Sequence, residues 1–120
     1  MSSPEGGDVI GRVLCRADEI PEGGGKGFVF GVGADQGRVF VVRHRGALYG
    51  YRNSCPHVGT PLDFMQDRFF DPSGTLLQCA THGAQFRIDD GLCVAGPCPG
   101  KRLTPVPVTL SGDYVVAFGI

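Results

Sequence analysis

The chain is predicted to be all-β, built from short antiparallel strands, on three observations. Short apolar runs rich in Val, Phe and Tyr recur along its length. Turn residues separate them, with 20 Gly and 9 Pro among 120 residues. No amphipathic helical period of useful length is present. Strand-like runs between such punctuation mark tight turns and not disorder.

Val9 to Arg16 reads as the first strand, and Ala17 to Pro21 as a short turn stopped by proline. Gly23 to Gly27 reads as a flexible turn. It is not a phosphate loop, because neither Ser/Thr nor a helical pattern follows Lys26. Phe28 to Val32 and Arg38 to His44 are joined through Gly33 to Gly37 as a hairpin, and Ala47 to Arg52 follows. Thr75 to Gln78, Ala84 to Ile88 and Leu92 to Val94 come next, the last two flanking the turn Asp89-Asp90-Gly91. Leu103 to Val108 and Tyr114 to Phe118 close the chain around Ser111-Gly112-Asp113. Only Asp63 to Phe70 leaves room for a short helix.

A chain of this length has room for one domain, read here as residues 9–120 behind a polar tail at 1–8. Apolar residues make up 42%, the ordinary share for a globular protein. The net charge of −1 offers no basic field, which argues against nucleic acid or an anionic membrane surface as partner. No segment approaches about 18 continuous apolar residues, and Met1 to Gly7 lacks the basic and apolar regions of a signal peptide. A cytoplasmic location is expected. In a reducing compartment, an odd count of 5 cysteines near histidines points to metal before disulfides.

Two arms carry the chemistry. The first is Cys55-Pro56-His57 and the second is Cys79-Ala80-Thr81-His82-Gly83. Each supplies one thiolate and one imidazole, a donor set that suits zinc or iron–sulfur. Two Cys and two His can close a tetrahedral zinc site. Zinc sites usually pair Cys with Cys and His with His, whereas both arms here are mixed. A two-iron cluster with the cysteines on one iron and the histidines on the other explains the mixture.

The chain resembles the Rieske ferredoxin family. The resemblance is carried by Asn53-Ser54-Cys55-Pro56-His57, by Cys79 to Phe86, by Asp90-Gly91 and by Gly96-Pro97. It implies a Rieske iron–sulfur fold, with a small cluster-binding subdomain of two ligand loops at about 53–100. It implies one 2Fe-2S cluster, with Cys55 and Cys79 on the inner iron and His57 and His82 on the outer one. Gly96 to Pro99 would be the loop that covers the cluster. The spacer between the arms is longer than in common members, and Ala80 stands where a proline often follows the second cysteine.

The resemblance also sorts the chain within the family. The respiratory branch carries a disulfide between the loops, at positions that here hold Thr60 and Thr81. It also donates hydroxyl hydrogen bonds to the cluster sulfurs from positions that here hold Ala84 and Phe86. Such bonds raise the potential, so their absence places this cluster at the low end of a range of about −150 to +300 mV. Cys15 reads as a small buried apolar residue. Pairing of Cys93 with Cys98 stays open, and His44 reads as an ordinary strand residue.

The expected function is a soluble one-electron carrier that passes electrons from a reductase to a terminal oxygenase. A complete oxygenase would need a further iron site of two His and one carboxylate, and with His57 and His82 committed only His44 remains of 3 histidines. No flavin or nicotinamide motif is present, so the chain is expected not to be an enzyme by itself. Two other readings stay open: a small non-catalytic subunit of a larger reductase complex, and a zinc-stabilised interaction module. The partner surface is expected at the rim around His57 and His82, with Asp63, Phe64 and Asp67 as contributors.

Overall fold

The computed structural model describes residues 11–30, 37–56, 61–63, 67–80 and 83–118. Among them lie nine strands, a single 3-10 turn at Ala17–Glu19 and no α-helix. The strands are β1 (Gly11–Arg16), β2 (Gly25–Phe30), β3 (Gly37–His44), β4 (Ala47–Arg52), β5 (Leu76–Gln78), β6 (Gln85–Arg87), β7 (Cys93–Ala95), β8 (Val108–Ser111) and β9 (Tyr114–Phe118). They form three antiparallel sheets of three strands, ordered β1-β9-β8, β2-β3-β4 and β5-β6-β7. The all-β prediction holds. No helix among the described residues is long and apolar enough to cross a membrane. The expected tail at 1–8 and the hairpin turn through Gly33 lie outside the described residues.

Turn chemistry closes the hairpins as the residue types require. Arg45 and Gly46 both adopt positive φ, 52° and 79°, the geometry of a two-residue turn between β3 and β4. The Glu22 carboxylate accepts their two backbone N–H groups, which holds its pKa below the ordinary carboxylate value. Gly91, at φ 72°, donates its N–H to the Arg87 carbonyl and turns β6 back toward β7.

Two expectations need correction. Gly25, Lys26 and Gly27 are strand and not turn, paired with Val42, Val41 and Phe40. The reason is packing. A Cβ on Gly25 would sit 2.9 Å from the Phe69 ring and 2.8 Å from Val42, and one on Gly27 would sit 3.5 Å from Phe69. The two glycines lie two apart on one strand face and leave a slot, which the buried Phe69 ring fills as it stacks on Phe40 at 4.4 Å. The Gly27 N–H donates to the Asp67 carboxylate at 2.8 Å, which covers part of the sheet edge.

The second correction concerns Leu103 to Val108, which is not one strand. Pro105 and Pro107 carry no N–H for a ladder, so pairing there reduces to an isolated bridge between Tyr51 and Pro105, with Arg52 N–H to Thr104 and Val106 N–H to Gly50. Regular pairing resumes at Val108. Nor do the described residues of the Asp63 to Phe70 stretch form a helix, since Asp67 sits at φ 66°.

The largest core cluster spans two of the sheets. Phe40, Val42 and Tyr51 come from β3 and β4, Leu77, Phe86 and Cys93 from β5 to β7, and Cys55, Leu62, Cys79, Ala84 and Cys98 from the loops between. Gly25→Ala should lower stability by roughly 1–3 kcal/mol, because the new methyl overlaps a close-packed ring. In the Phe69→Ala background the same change should cost less, because the ring contact is gone while the contact with Val42 at 2.8 Å remains. Circular dichroism unfolding of the four proteins checks the pair; equal costs in both backgrounds would defeat the slot.

Candidate functional site

The first arm leaves the end of β4 through Asn53 and returns at Leu62. Asn53 is the buried polar residue of the core, and its side chain holds both ends of this arm. Its Oδ1 accepts the Leu62 N–H at 2.7 Å, its Nδ2 donates to the Asp63 carboxylate at 3.0 Å, and its own N–H donates to Arg38 at 2.9 Å. The Asp63 carboxylate also accepts the Asp67 N–H at 3.1 Å. The chain Asn53–Asp63–Asp67–Gly27 thus ties the arm to the edge of the β2-β3-β4 sheet.

The second arm leaves β5 at Cys79 and enters β6 after Gly83. Its ends are closed by Cys79 N–H to Ala84 O at 2.8 Å and Gly83 N–H to Cys79 O at 2.9 Å, with Gly83 at φ 73°. The Ala80 N–H donates to the Leu62 carbonyl at 2.9 Å. Leu62 therefore bonds to Asn53 through its N–H and to the second arm through its C=O, which joins the arms.

Cys55 and Cys79 are 2% and 0% exposed and belong to one core cluster. No disulfide holds either of them. Two buried thiols from different arms, joined through Leu62, could bind one iron of the expected cluster. His57 and His82 lie outside the described residues, as do Phe64, Thr60 and Thr81. His44 lies on β3 with its ring 6.4 Å from Phe70, consistent with an ordinary strand residue.

The segment expected to cover the cluster lies against the second arm. Gly96 adopts φ 93°, and a Cβ there would fall 2.6 Å from the Ala84 Cα. Only glycine allows this approach of one backbone to another. Ala84 and Phe86 are fully buried, and neither side chain carries a hydroxyl. Cys93 and Cys98 are buried beside the site, their Sγ atoms 3.2 Å apart and unbonded. Burial, and then the neighbouring Cys93, push the Cys98 thiol up to about 12. Tyr51 packs on the same core and donates its hydroxyl to the Ile88 carbonyl at 2.6 Å; burial raises its pKa.

The position of Asn53 beside Cys55 was visible in the sequence, but its partners were not. Leu62 and Asp63 follow nine and ten residues later, a separation that no local turn rule reads. Asp63 and Asp67, expected at a partner surface, spend their carboxylates on this internal network.

The family model of the Rieske [2Fe-2S] domain matches residues 12–111. A search of curated proteins finds no match. Among solved structures, the ferredoxin of carbazole 1,9a-dioxygenase from Nocardioides aromaticivorans IC177 is similar, with TM-score 0.71, 23% identity, and 92% of this chain and 98% of that one covered. The Sphingomonas yanoikuyae B1 ferredoxin is similar with TM-score 0.69, 24% identity, and 91% and 98% covered. A chain in the complex of reduced oxygenase and oxidised ferredoxin of carbazole 1,9a-dioxygenase is similar with TM-score 0.71, 21% identity, and 92% and 94% covered. At these identities the likeness is one of fold.

Asn53→Ala removes the group that satisfies Leu62 and Asp63, and leaves a buried N–H without its acceptor. Stability should fall by roughly 1–3 kcal/mol. The iron content of the purified variant should fall with it, because both arms lose their common anchor. Unfolding and iron assay of Asn53→Ala check this; full occupancy with unchanged stability would show that Asn53 holds nothing.

Proposed function

The chain belongs to the Rieske 2Fe-2S domain family, and from that premise we propose that it is a one-electron carrier delivering electrons from a reductase to a terminal oxygenase. The observation that carries the reading is the family match over 12–111, with both cysteine arms inside it and both thiols buried together. The domain binds a single 2Fe-2S cluster.

Cys55, His57, Cys79 and His82 are the residues that hold it. When bound, the cluster supplies one-electron chemistry at a single centre. The protein's part is to bind and to exclude water. Cys55 and Cys79 enter from the dry side, where Phe40, Leu62 and Phe86 share their core cluster. Both thiols lie in apolar surroundings and are sheltered from water. The loop at Gly96 packs on Gly83 and Ala84 and shields that arm.

The oxygenase partner rests on similarity. A solved complex of an oxygenase with a ferredoxin contains a chain with this fold, and in another a chain carries it over 28% of its length. With His57 and His82 committed as ligands, His44 alone cannot build a second iron site, so the chain works as a carrier and not as the oxygenase. A reducing, cytoplasmic compartment suits five cysteines that carry no disulfide.

The purified protein should contain about two irons and about two acid-labile sulfides per chain, with the visible spectrum of a Rieske cluster. Cys55→Ala, His57→Ala, Cys79→Ala or His82→Ala should each abolish it, whereas Cys15→Ser, Cys93→Ser and Cys98→Ser should retain it. Stoichiometric zinc in a colourless protein would overturn the reading.

The midpoint potential should be negative at neutral pH, because Ala84 and Phe86 donate no hydroxyl hydrogen bond to the cluster. Ala84→Ser should raise it. Voltammetry decides, and a wild-type value well above zero would defeat the argument. Reduction by a candidate reductase, followed by reoxidation with an oxygenase, tests the carrier role directly.

A further inference from the structure

Beside the ligand thiols stands a second pair of sulfurs with no part in holding the cluster. Cys93 opens β7, and Cys98 follows the last two residues of that strand, Val94 and Ala95, and the turn residues Gly96 and Pro97. Their Sγ atoms are 3.2 Å apart, and the Cys93 thiol also reaches the Ala95 carbonyl at 3.2 Å. Both residues are buried, at 2% and 3% exposure.

The backbone holds them face to face. Cys93 N–H donates to Lys101 O at 2.8 Å, Gly100 N–H to Cys93 O at 3.3 Å, and Lys101 N–H to Cys98 O at 3.1 Å. These bonds close the loop behind the two thiols, so their facing does not depend on chance encounters of a floppy segment. Sulfurs in a disulfide lie about 2.05 Å apart, so roughly 1 Å of approach remains. Rotation of two short side chains supplies a movement of that size.

We propose that Cys93 and Cys98 form an oxidisable dithiol, which closes to a disulfide across the loop that covers the second cysteine arm while the cluster stays bound. The oxidant is the disulfide of a low-molecular-weight thiol. One protein thiolate attacks it, the small S–S bond breaks and one small thiol leaves. The second protein thiolate then attacks the mixed disulfide at the protein sulfur, and the second small thiol leaves. Two protein S–H bonds are exchanged for one protein S–S bond, and the small disulfide is reduced to two thiols that carry both protons.

Burial makes closure slow, because the loop must part to admit the oxidant. The fixed facing of the sulfurs makes it favourable, because the second step is intramolecular. Closure staples both ends of the segment whose Gly96 rests on the Ala84 backbone. Cys15 lies in a different core cluster and serves as an internal control.

The test incubates the cluster-loaded protein, without air, in glutathione buffers of increasing disulfide content. Free thiols are then blocked by alkylation, and tryptic fragments are weighed. Cleavage at Arg87 and Lys101 releases Ile88 to Lys101, which carries both cysteines and no other. This fragment should pass from doubly alkylated to unalkylated with the loss of two hydrogens, while the visible spectrum persists. The change should vanish in Cys93→Ser.

A fragment that stays doubly alkylated in buffer that fully oxidises dithiothreitol would overturn the proposal. So would glutathione left attached to either cysteine in place of the internal bond. Closure seen only after the visible spectrum bleaches would also overturn it, since the bond would then belong to a chain that had lost its site. Persistence of the change in Cys93→Ser would mean a different pair.

Discussion

Two arms that leave different sheets must lie side by side with their cysteines out of water, and the buried amide of Asn53 is the group that makes this possible. An amide offers a donor and an acceptor on one rigid plane. Asn53 uses the acceptor on Leu62 and the donor on Asp63. Leu62 in turn passes its carbonyl to Ala80, one residue beyond Cys79. A hydrophobic residue at 53 would pack as well but would leave the Leu62 N–H buried and unpaired. A charged one would be costly in the same place.

The glycines of β2 solve a related problem on the core face of the sheet. The segment after the first arm has to cross this edge strand, and it does so by laying Phe69 into the space over Gly25 and Gly27. Side chains at those two positions would lift the segment off the sheet and with it Asp67 and Asp63. The stacked pair of Phe69 and Phe40 therefore sets the height at which the Asp63 carboxylate meets Asn53. Ring burial supplies the stabilisation, and the hydrogen bonds set the register.

Sulfur chemistry in the core divides along the same lines. Cys55, Cys79, Cys93 and Cys98 share one core cluster, yet they sit on three different pieces of chain. Cys55 and Cys79 belong to the two arms that Asn53 and Leu62 join. Cys93 and Cys98 belong to one closed loop and face each other. Burial raises the pKa of the Cys98 thiol, and a covalent bond to Cys93 would relieve the cost of its ionisation. The apolar surroundings are thus compatible both with a bound cluster and with a neutral dithiol beside it.

The strand-rich fold, most of the turns and the two mixed arms were legible in the sequence itself, because periodicity, Gly/Pro punctuation and ligand spacing are local properties. Asp89-Asp90-Gly91 and Ser111-Gly112-Asp113 each announce a turn through the conformations that their residues tolerate. What tertiary structure alone decided is where a local rule meets a distant partner. Gly25 to Gly27 looks like a turn until Phe69, more than forty residues on, needs the room that a missing Cβ leaves. Leu103 to Val108 looks like a strand until Pro105 and Pro107 must pair and have no N–H to give. Asn53 looks like a loop residue, and its burial follows only from the arm that returns to it at Leu62. Nothing within a few residues of Cys93 shows that its sulfur faces Cys98, because a loop of four residues can direct its flanking side chains together or apart. The sequence by itself determined which groups the site can use; the fold decided which of them meet, because meeting depends on loop closure and close packing between residues remote along the chain.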